Sequence, residues 1–237
     1  MLLSFSRIIV KVSNQYSESK YVSVIKKKSF LETFTLYKKA TLDLIDCLEK
    51  RKFSKKNKVN VYLKDTINTD FIKSSTVDLI VTSPPYLNSW DYALYHRFRF
   101  LWLDMKIKEY ENIEIGKHLR TIEGRGKKTD EVKRYEKDMK QVISNCFRVL
   151  KKNSFFILIV SDSIVQKKFI DTGNLLINIS KKIGFVLVNK FKRKMFGPHY
   201  GLHKSLKSKN IKVQNEEIFK GNRIEKKEHI IVLKKIN

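Results

Sequence analysis

Val77-Asp78-Leu79-Ile80-Val81-Thr82-Ser83-Pro84-Pro85-Tyr86 is the stretch on which the fold turns. Val77 to Val81 has the β-branched, apolar composition of a buried strand. Pro84 and Pro85 lack the N–H that a central ladder needs, so the chain must leave the sheet there. Proline is scarce, with three in 237 residues. Two of them side by side between a serine and a tyrosine therefore mark a built corner. Fixed φ and missing donors make such a corner stiff, leave its carbonyls able to accept, and hold the flanking side chains in set directions.

Upstream of the corner, Val59 to Leu63 alternates and carries β-branched residues, which predicts a strand closing at Lys64-Asp65. Phe30 to Lys50 has apolar residues at helical spacing and predicts an amphipathic helix, followed by a solvated basic connection from Lys50 to Lys58. Arg7 to Val12 reads as a strand or a helix end, and Ser13 to Ser19 as a polar loop. Downstream, Glu131 to Leu150 is helical in spacing. Phe155 to Val160 is a continuous apolar run of the kind buried on both faces of a parallel sheet, closing at Ser161-Asp162-Ser163. A helix from Thr172 to Lys182, a Gly184-Phe185 turn, a strand at Val186 to Val188 and a last strand at Ile230 to Leu233 complete the alternation.

Strands alternating with helices predict an α/β fold with a mostly parallel sheet. Residues 1–58 form an N-terminal segment with one helix, and residues 59–237 the functional region, with a basic loop at about 189–227. Ligands of such sheets bind beyond the carboxyl ends of the strands. Asp65, Ser83 to Tyr86 and Ser161 to Ser163 are accordingly expected around one crevice.

The chain is 42% hydrophobic and 11% aromatic, enough for a folded core. Its 50 Lys+Arg against 24 Asp+Glu give a net charge of +26, which favours a polyanionic partner, nucleic acid first, although a lysine-rich proteome would account for the charge equally well. Between Asp171 and Glu216 there is no acid but ten Lys or Arg. Lys192, Arg193, Lys194 and Lys204 are the candidate phosphate contacts there, with a plain solvated loop as the alternative. Of the aromatics after the corner, Trp90 and Tyr92, with Asn88, are assigned to nucleic acid, and Phe98, Phe100 and Trp102 to packing. Cys47 and Cys146 lack close Cys or His neighbours and read as reduced core thiols. His199 and His203 have no carboxylate partner in register, so no metal is expected. No apolar run approaches the roughly 20 residues of a membrane span, and the start is too short and polar for a signal sequence, so a cytoplasmic location is expected.

An exocyclic amino group on a nucleobase is a poor nucleophile, because its lone pair is delocalised into the ring. Acceptors that hold its N–H bonds favour a pyramidal nitrogen. The Ser83 hydroxyl and the Pro84 carbonyl can serve so, and Tyr86 offers a face for a base flipped from the duplex.

These residues resemble the DNA amino-methyltransferases of restriction-modification systems, which carry [Asp/Asn/Ser]-Pro-Pro-[Tyr/Phe/Trp] after a strand. Thr82 to Tyr92, Lys192 to His199 and Glu228 to Lys234 are also similar to one subgroup, so the resemblance runs from about residue 59 to the end. It implies a Rossmann-like methyltransferase fold, S-adenosyl-L-methionine as methyl donor and double-stranded DNA as partner. Ser83, Pro84, Pro85 and Tyr86 become the catalytic corner. Asp65 takes the place of the family's adenine-contacting acid, and Thr82 and Asp162 line the cofactor side. Asp65 and Asp162 also read as ordinary turn residues. A leading serine is typical of cytosine-N4 enzymes, which makes cytosine N4 the first choice. An adenine-N6 enzyme, an RNA amino-methyltransferase and a non-catalytic nucleic-acid-binding fragment are the alternatives. The absence of a Pro-Cys pair argues against the carbon-5 route, which needs a thiolate.

One family feature is missing. The methionine end of the donor sits in this family over a Gly-rich turn between a strand and a helix, whereas the first glycine here is Gly116. The fold is therefore expected to be incomplete on its N-terminal side. A truncated product, a split enzyme whose second subunit supplies the loop, and an unfamiliar cofactor loop all stay open.

Overall fold

The structure, a computed structural model, describes residues 1–18, 20–51, 58–88, 90–116, 131–165, 168–194 and 227–236. The chain divides into two compact units, one of Met1–Tyr62 with Asp91–Glu114, the other of Leu63–Trp90 with Ile115–Asn237.

The first unit is helical with one small hairpin. Helix α1 (Leu2–Val12) buries Ile8, Ile9 and Val10. Within Ser13 to Ser19, expected as a polar loop, Gln15–Ser17 forms strand β1, which pairs antiparallel with β2 (Lys20–Ser23). Backbone pairing overrides a polar composition here, because the two short strands satisfy each other's groups although β1 buries a polar residue, Gln15, rather than an apolar one. Helix α2 (Phe30–Glu49) matches the expected helix. Ser29 accepts from the Glu32 N–H at 3.2 Å while Glu32 Oε2 accepts from the Ser29 N–H at 2.9 Å, a reciprocal capping box. Cys47 on α2 is exposed, so it is not the core thiol expected. The unit closes with the short helices α3 (Tyr92–Tyr95), α4 (Arg97–Trp102) and α5 (Ile107–Ile113).

In the second unit, the Val77 strand is β3 (Val77–Thr82), and the Pro-Pro corner ends it as expected. Helix α6 (Glu131–Val149) leads to β4 (Leu150–Ser161); a two-stranded ribbon, β5 (Ser163–Val165) with β6 (Lys168–Ile170), precedes α7 (Thr172–Ile183). Gly184 stops α7 with φ of 122°, a value that favours glycine. Strands β7 (Phe185–Lys194) and β8 (Lys227–Lys235) finish the sheet in the order β3-β4-β8-β7. β3 and β4 are parallel, while β8 is antiparallel to both β4 and β7. Three of the four strands thus run one way, joined by helical crossovers, in a Rossmann-like α/β arrangement. The exception is β8, which reverses because it returns beside β7 and slots between β7 and β4.

One expected strand is not formed. Val59, Val61 and Leu63 are 83%, 90% and 100% exposed, and residues 58–64 pair with no strand among the described residues. Alternation makes a strand only where a neighbour takes up its N–H and C=O groups. The strand at Val186 to Val188 is longer than expected, and 189–194 of the expected basic loop belong to β7 because they pair along β8.

The core lies on one face of the sheet. Phe156, Leu158, Val160, Ile231 and Leu233 are fully buried against Tyr135, Met139 and Ile143 of α6 and Leu176 and Ile177 of α7. Burying this set contributes about 1.5–3 kcal/mol per large side chain. On the other face Leu79, Val81, Phe155, Val186 and Phe191 are 38–56% exposed. Among the described residues no helix is long and apolar enough to cross a membrane.

Candidate active site

The corner after β3 is held from within the second unit. Thr82, the last strand residue, lies opposite Leu158. The Tyr135 hydroxyl, on a side chain only 1% exposed, donates to the Pro85 carbonyl at 3.0 Å. The Asn88 N–H donates to the Gly116 carbonyl at 3.0 Å. Gly116 has φ of 73°, and a Cβ there would stand 3.2 Å from the Tyr86 carbonyl, so both conformation and space call for glycine. Pro84 is buried, and its carbonyl accepts no hydrogen bond among the described residues. Ser83 is exposed at the tip.

The Ser83 hydroxyl donates to Tyr86 Oη over 3.4 Å, and Tyr86 Oη donates to Glu228 Oε1 at 2.7 Å. Arg193 donates to Glu228 Oε2 from Nε at 2.9 Å and also from Nη2. Burial pushes the Tyr86 phenol up to about 12, with the Glu228 carboxylate adding to the rise and the Ser83 hydrogen bond opposing it. At neutral pH Tyr86 is therefore a protonated donor.

Glu228 and its neighbour His229 open β8 and, by the two-residue strand period, face opposite sides of the sheet. On the helix-covered side His229, 2% exposed, meets Asp162 Oδ1 with Nε2 at 2.8 Å. Asp171 caps α7 through the Asn174 N–H at 2.7 Å, and Lys190 Nζ lies 3.8 Å from Asp171 and 2.8 Å from Asn174 Oδ1. Gly173 lies against the His229 ring, where a Cβ would come within 3.0 Å of two ring carbons. Ligand atoms of Asp162, Asp171 and His229 fall within 4.8 Å of one another. Lys190 and the α7 N-terminus answer Asp171, and His229 answers Asp162. The Ser163 hydroxyl and His229 Nδ1 are buried without a partner among the described residues.

Of the residues singled out from sequence, Ser83, Pro84, Pro85 and Tyr86 are brought together with Glu228 at the carboxyl end of β3. Asp162 joins the same end of the sheet at the close of β4, its carboxylate held by His229. Asp65 sits in an exposed turn, Oδ1 accepting from the Ile67 N–H at 2.9 Å. Its other oxygen has no partner among the described residues. Asn88 stands just past the corner at φ of 54° and Trp90 is 37% exposed, whereas Tyr92 belongs to the first unit, its ring stacked on His96. Lys192 is exposed on β7 and Arg193 engages Glu228, while Lys194 is described by its strand backbone. Lys204, His199 and His203 lie outside the described residues. Sequence reasoning missed Glu228 and Tyr135. The acid heading an apolar strand was the available signal for the first, and a tyrosine on the apolar face of a basic helix for the second.

Among known proteins, the chain is 32% identical over 124 residues to the Type II methyltransferase M.MjaII of Methanocaldococcus jannaschii, a match covering 52% of this chain and 20% of that protein. The chain thus spans about a fifth of the curated relative it matches. Solved structures are more distant. A candidate DNA modification methylase from Thermus thermophilus, complexed with S-adenosyl-L-methionine, has 16% identity and a TM-score of 0.39, covering 70% of this chain and 48% of that one. A SAM-dependent methyltransferase from Methanosarcina mazei has 11% identity and a TM-score of 0.37, covering 86% and 78%. A DNA methylase family model matches residues 77–235, from the first residue of β3 to the last of β8, and the chain belongs to that family, the N6/N4 DNA methylases.

Proposed function

We propose that this chain is the base-handling part of an S-adenosyl-L-methionine-dependent DNA amino-methyltransferase acting on cytosine N4. The observation that carries the proposal is the division of labour at the corner. The Pro85 carbonyl is pinned by Tyr135, the Pro84 carbonyl is left unpaired among the described residues, and the Ser83 hydroxyl stands exposed beside it. Ser83 Oγ and the Pro84 carbonyl accept the two N–H bonds of the amino group and draw its lone pair out of the ring. Tyr86 supplies the stacking face for the flipped base. Rigid placement of these acceptors is the protein's contribution to rate. The bound donor supplies an electrophilic methyl group. Asp65, whose second oxygen has no partner among the described residues, is assigned to the donor's adenine end, and Thr82 and Asp162 to the lining of the cofactor side.

The sequence carries no Gly-x-Gly turn directly after an expected strand, the feature that holds the donor's methionine end in the family it resembles. A second polypeptide that supplies the Gly-rich loop is therefore part of the proposal. The exposed apolar face around Leu79, Val81 and Phe155 supports it, because sheets of this class carry helices on both faces. Double-stranded DNA in a restriction-modification setting, in the cytoplasm, is the proposed substrate context. The net charge of +26 and the exposed Lys192 support a phosphate-contacting role for the basic stretch that includes Lys194 and Lys204.

Calorimetric titration of the full chain with S-adenosyl-L-methionine, alone and with the protein encoded immediately upstream, tests the proposal. Binding in at least one arm is expected, and binding in neither refutes it. Ser83→Ala should then abolish transfer while cofactor affinity stays within about twofold, because the serine accepts from the base only.

A further inference from the structure

We propose that Glu228 is a positioning residue for the base-handling corner, fixing the direction of the hydrogen bonds that run from Ser83 through Tyr86. The inference rests on the functional reading above and adds a residue to it.

Glu228 is 5% exposed and reached by Tyr86 Oη at 2.7 Å and Arg193 Nε at 2.9 Å. An ionised carboxylate can only accept, so the Tyr86 proton must point to Glu228. The Tyr86 oxygen is then left with lone pairs, one of which takes the Ser83 proton across 3.4 Å. With its only proton so directed, Ser83 Oγ presents lone pairs to whatever stands at the exposed tip. That is the polarity an amino-group substrate demands, since both substrate hydrogens must be accepted. A hydroxyl free to rotate would spend part of its time pointing a proton at the amino group.

Arg193 completes the device. Its guanidinium donates to the second carboxylate oxygen, so both oxygens of Glu228 are taken up as acceptors, one by Arg193 and one by Tyr86. The same contact to Tyr86 fixes the plane of the ring on which the base would stack. Thus the acid sits on the last strand, 142 residues from the tyrosine it orients.

Glu228→Gln keeps size and burial but brings an amide that donates as well as accepts, so Tyr86 and Ser83 can reverse. With the full chain, in the form that transfers tritiated methyl groups to unmethylated genomic DNA, kcat should fall about 10- to 100-fold, as for a lost charged hydrogen bond, at unchanged KM for the donor. Tyr86→Phe removes the relay hydroxyl and keeps the ring. In that background Glu228→Gln should cost no more than about twofold, because the two changes break one chain. A full-sized loss in the Tyr86→Phe background would assign Glu228 a merely structural role and overturn the inference, as would Glu228→Gln turning over at the wild-type rate. Absence of transfer by the wild type would overturn the functional reading and this inference with it. A readout independent of activity is the titration of the Tyr86 ring in chains carrying carbon-13-labelled tyrosine. The phenol should ionise at lower pH in Glu228→Gln, and an unchanged titration would refute the contact.

Discussion

Replacing Tyr135 by phenylalanine isolates one contact that holds the Pro-Pro corner. The ring of Tyr135 is 1% exposed on α6 and packs in the main core, so Phe keeps the packing and deletes only the hydroxyl that donates to the Pro85 carbonyl at 3.0 Å. A typical net hydrogen bond contributes about 0.5–1.5 kcal/mol, and a carbonyl left without a donor in a half-buried site adds to the loss. Together these give about 1–2 kcal/mol. With a urea m-value of about 3 kcal/mol/M for a chain of this size, the midpoint should fall by about 0.5 M at unchanged slope. Urea unfolding followed by far-ultraviolet circular dichroism measures it. Activity should fall as well, because Pro84 and Ser83 ride on the segment that Tyr135 pins. An unchanged midpoint would show that the corner is rigid without Tyr135 and would refute the reasoning.

Gly173→Ala puts a methyl group within 3.0 Å of the buried His229 ring, which cannot retreat, and should cost about 1–3 kcal/mol, read as a lower thermal midpoint. The capping box of α2 makes that helix acid-sensitive. Hydrogen bonds from the Ser29 backbone and then Lys28 hold the Glu32 carboxyl near 2 rather than its ordinary 4.5. A carboxyl with a lowered folded value contributes stability above 4.5 that is lost as the pH falls through 2, so helical signal from α2 should decline over that window and be intact above it. Glu32→Gln should remove the acid dependence of that signal. Cys146, whose thiol burial pushes up to about 11, should react with a thiol reagent far more slowly than exposed Cys47, as mass spectrometry of labelled peptides can determine.

The sequence was most legible where one element's own residues decide its state. The helices α2, α6 and α7 follow from apolar spacing, and β3 and β4 from apolar runs cut off by Pro84 and by Ser161. It was least legible where the partner decides. Val59 to Leu63 has strand composition and forms no strand among the described residues, whereas Gln15 to Ser17, inside a stretch of loop composition, pairs with Lys20 to Ser23. The reversed β8 could not be read from a local pattern either, because direction is set by which strands it lies between. The site divides in the same way. The Ser83 to Tyr86 corner is written in four consecutive residues. Glu228 and Tyr135, which orient and pin it, lie 142 and 50 residues from the atoms they hold, and only the folded chain brings them there.

The central claim is that the Ser83-Pro84-Pro85-Tyr86 corner holds an exocyclic amino group of DNA for methylation. Its most direct test is mass spectrometry of nucleosides from the DNA of a methylation-deficient host that expresses the full chain together with the protein encoded immediately upstream. The account predicts N4-methylcytosine, lost when Ser83 is replaced by alanine. N6-methyladenine in its place would contradict the choice of base, and DNA free of both modified nucleosides would contradict the claim itself.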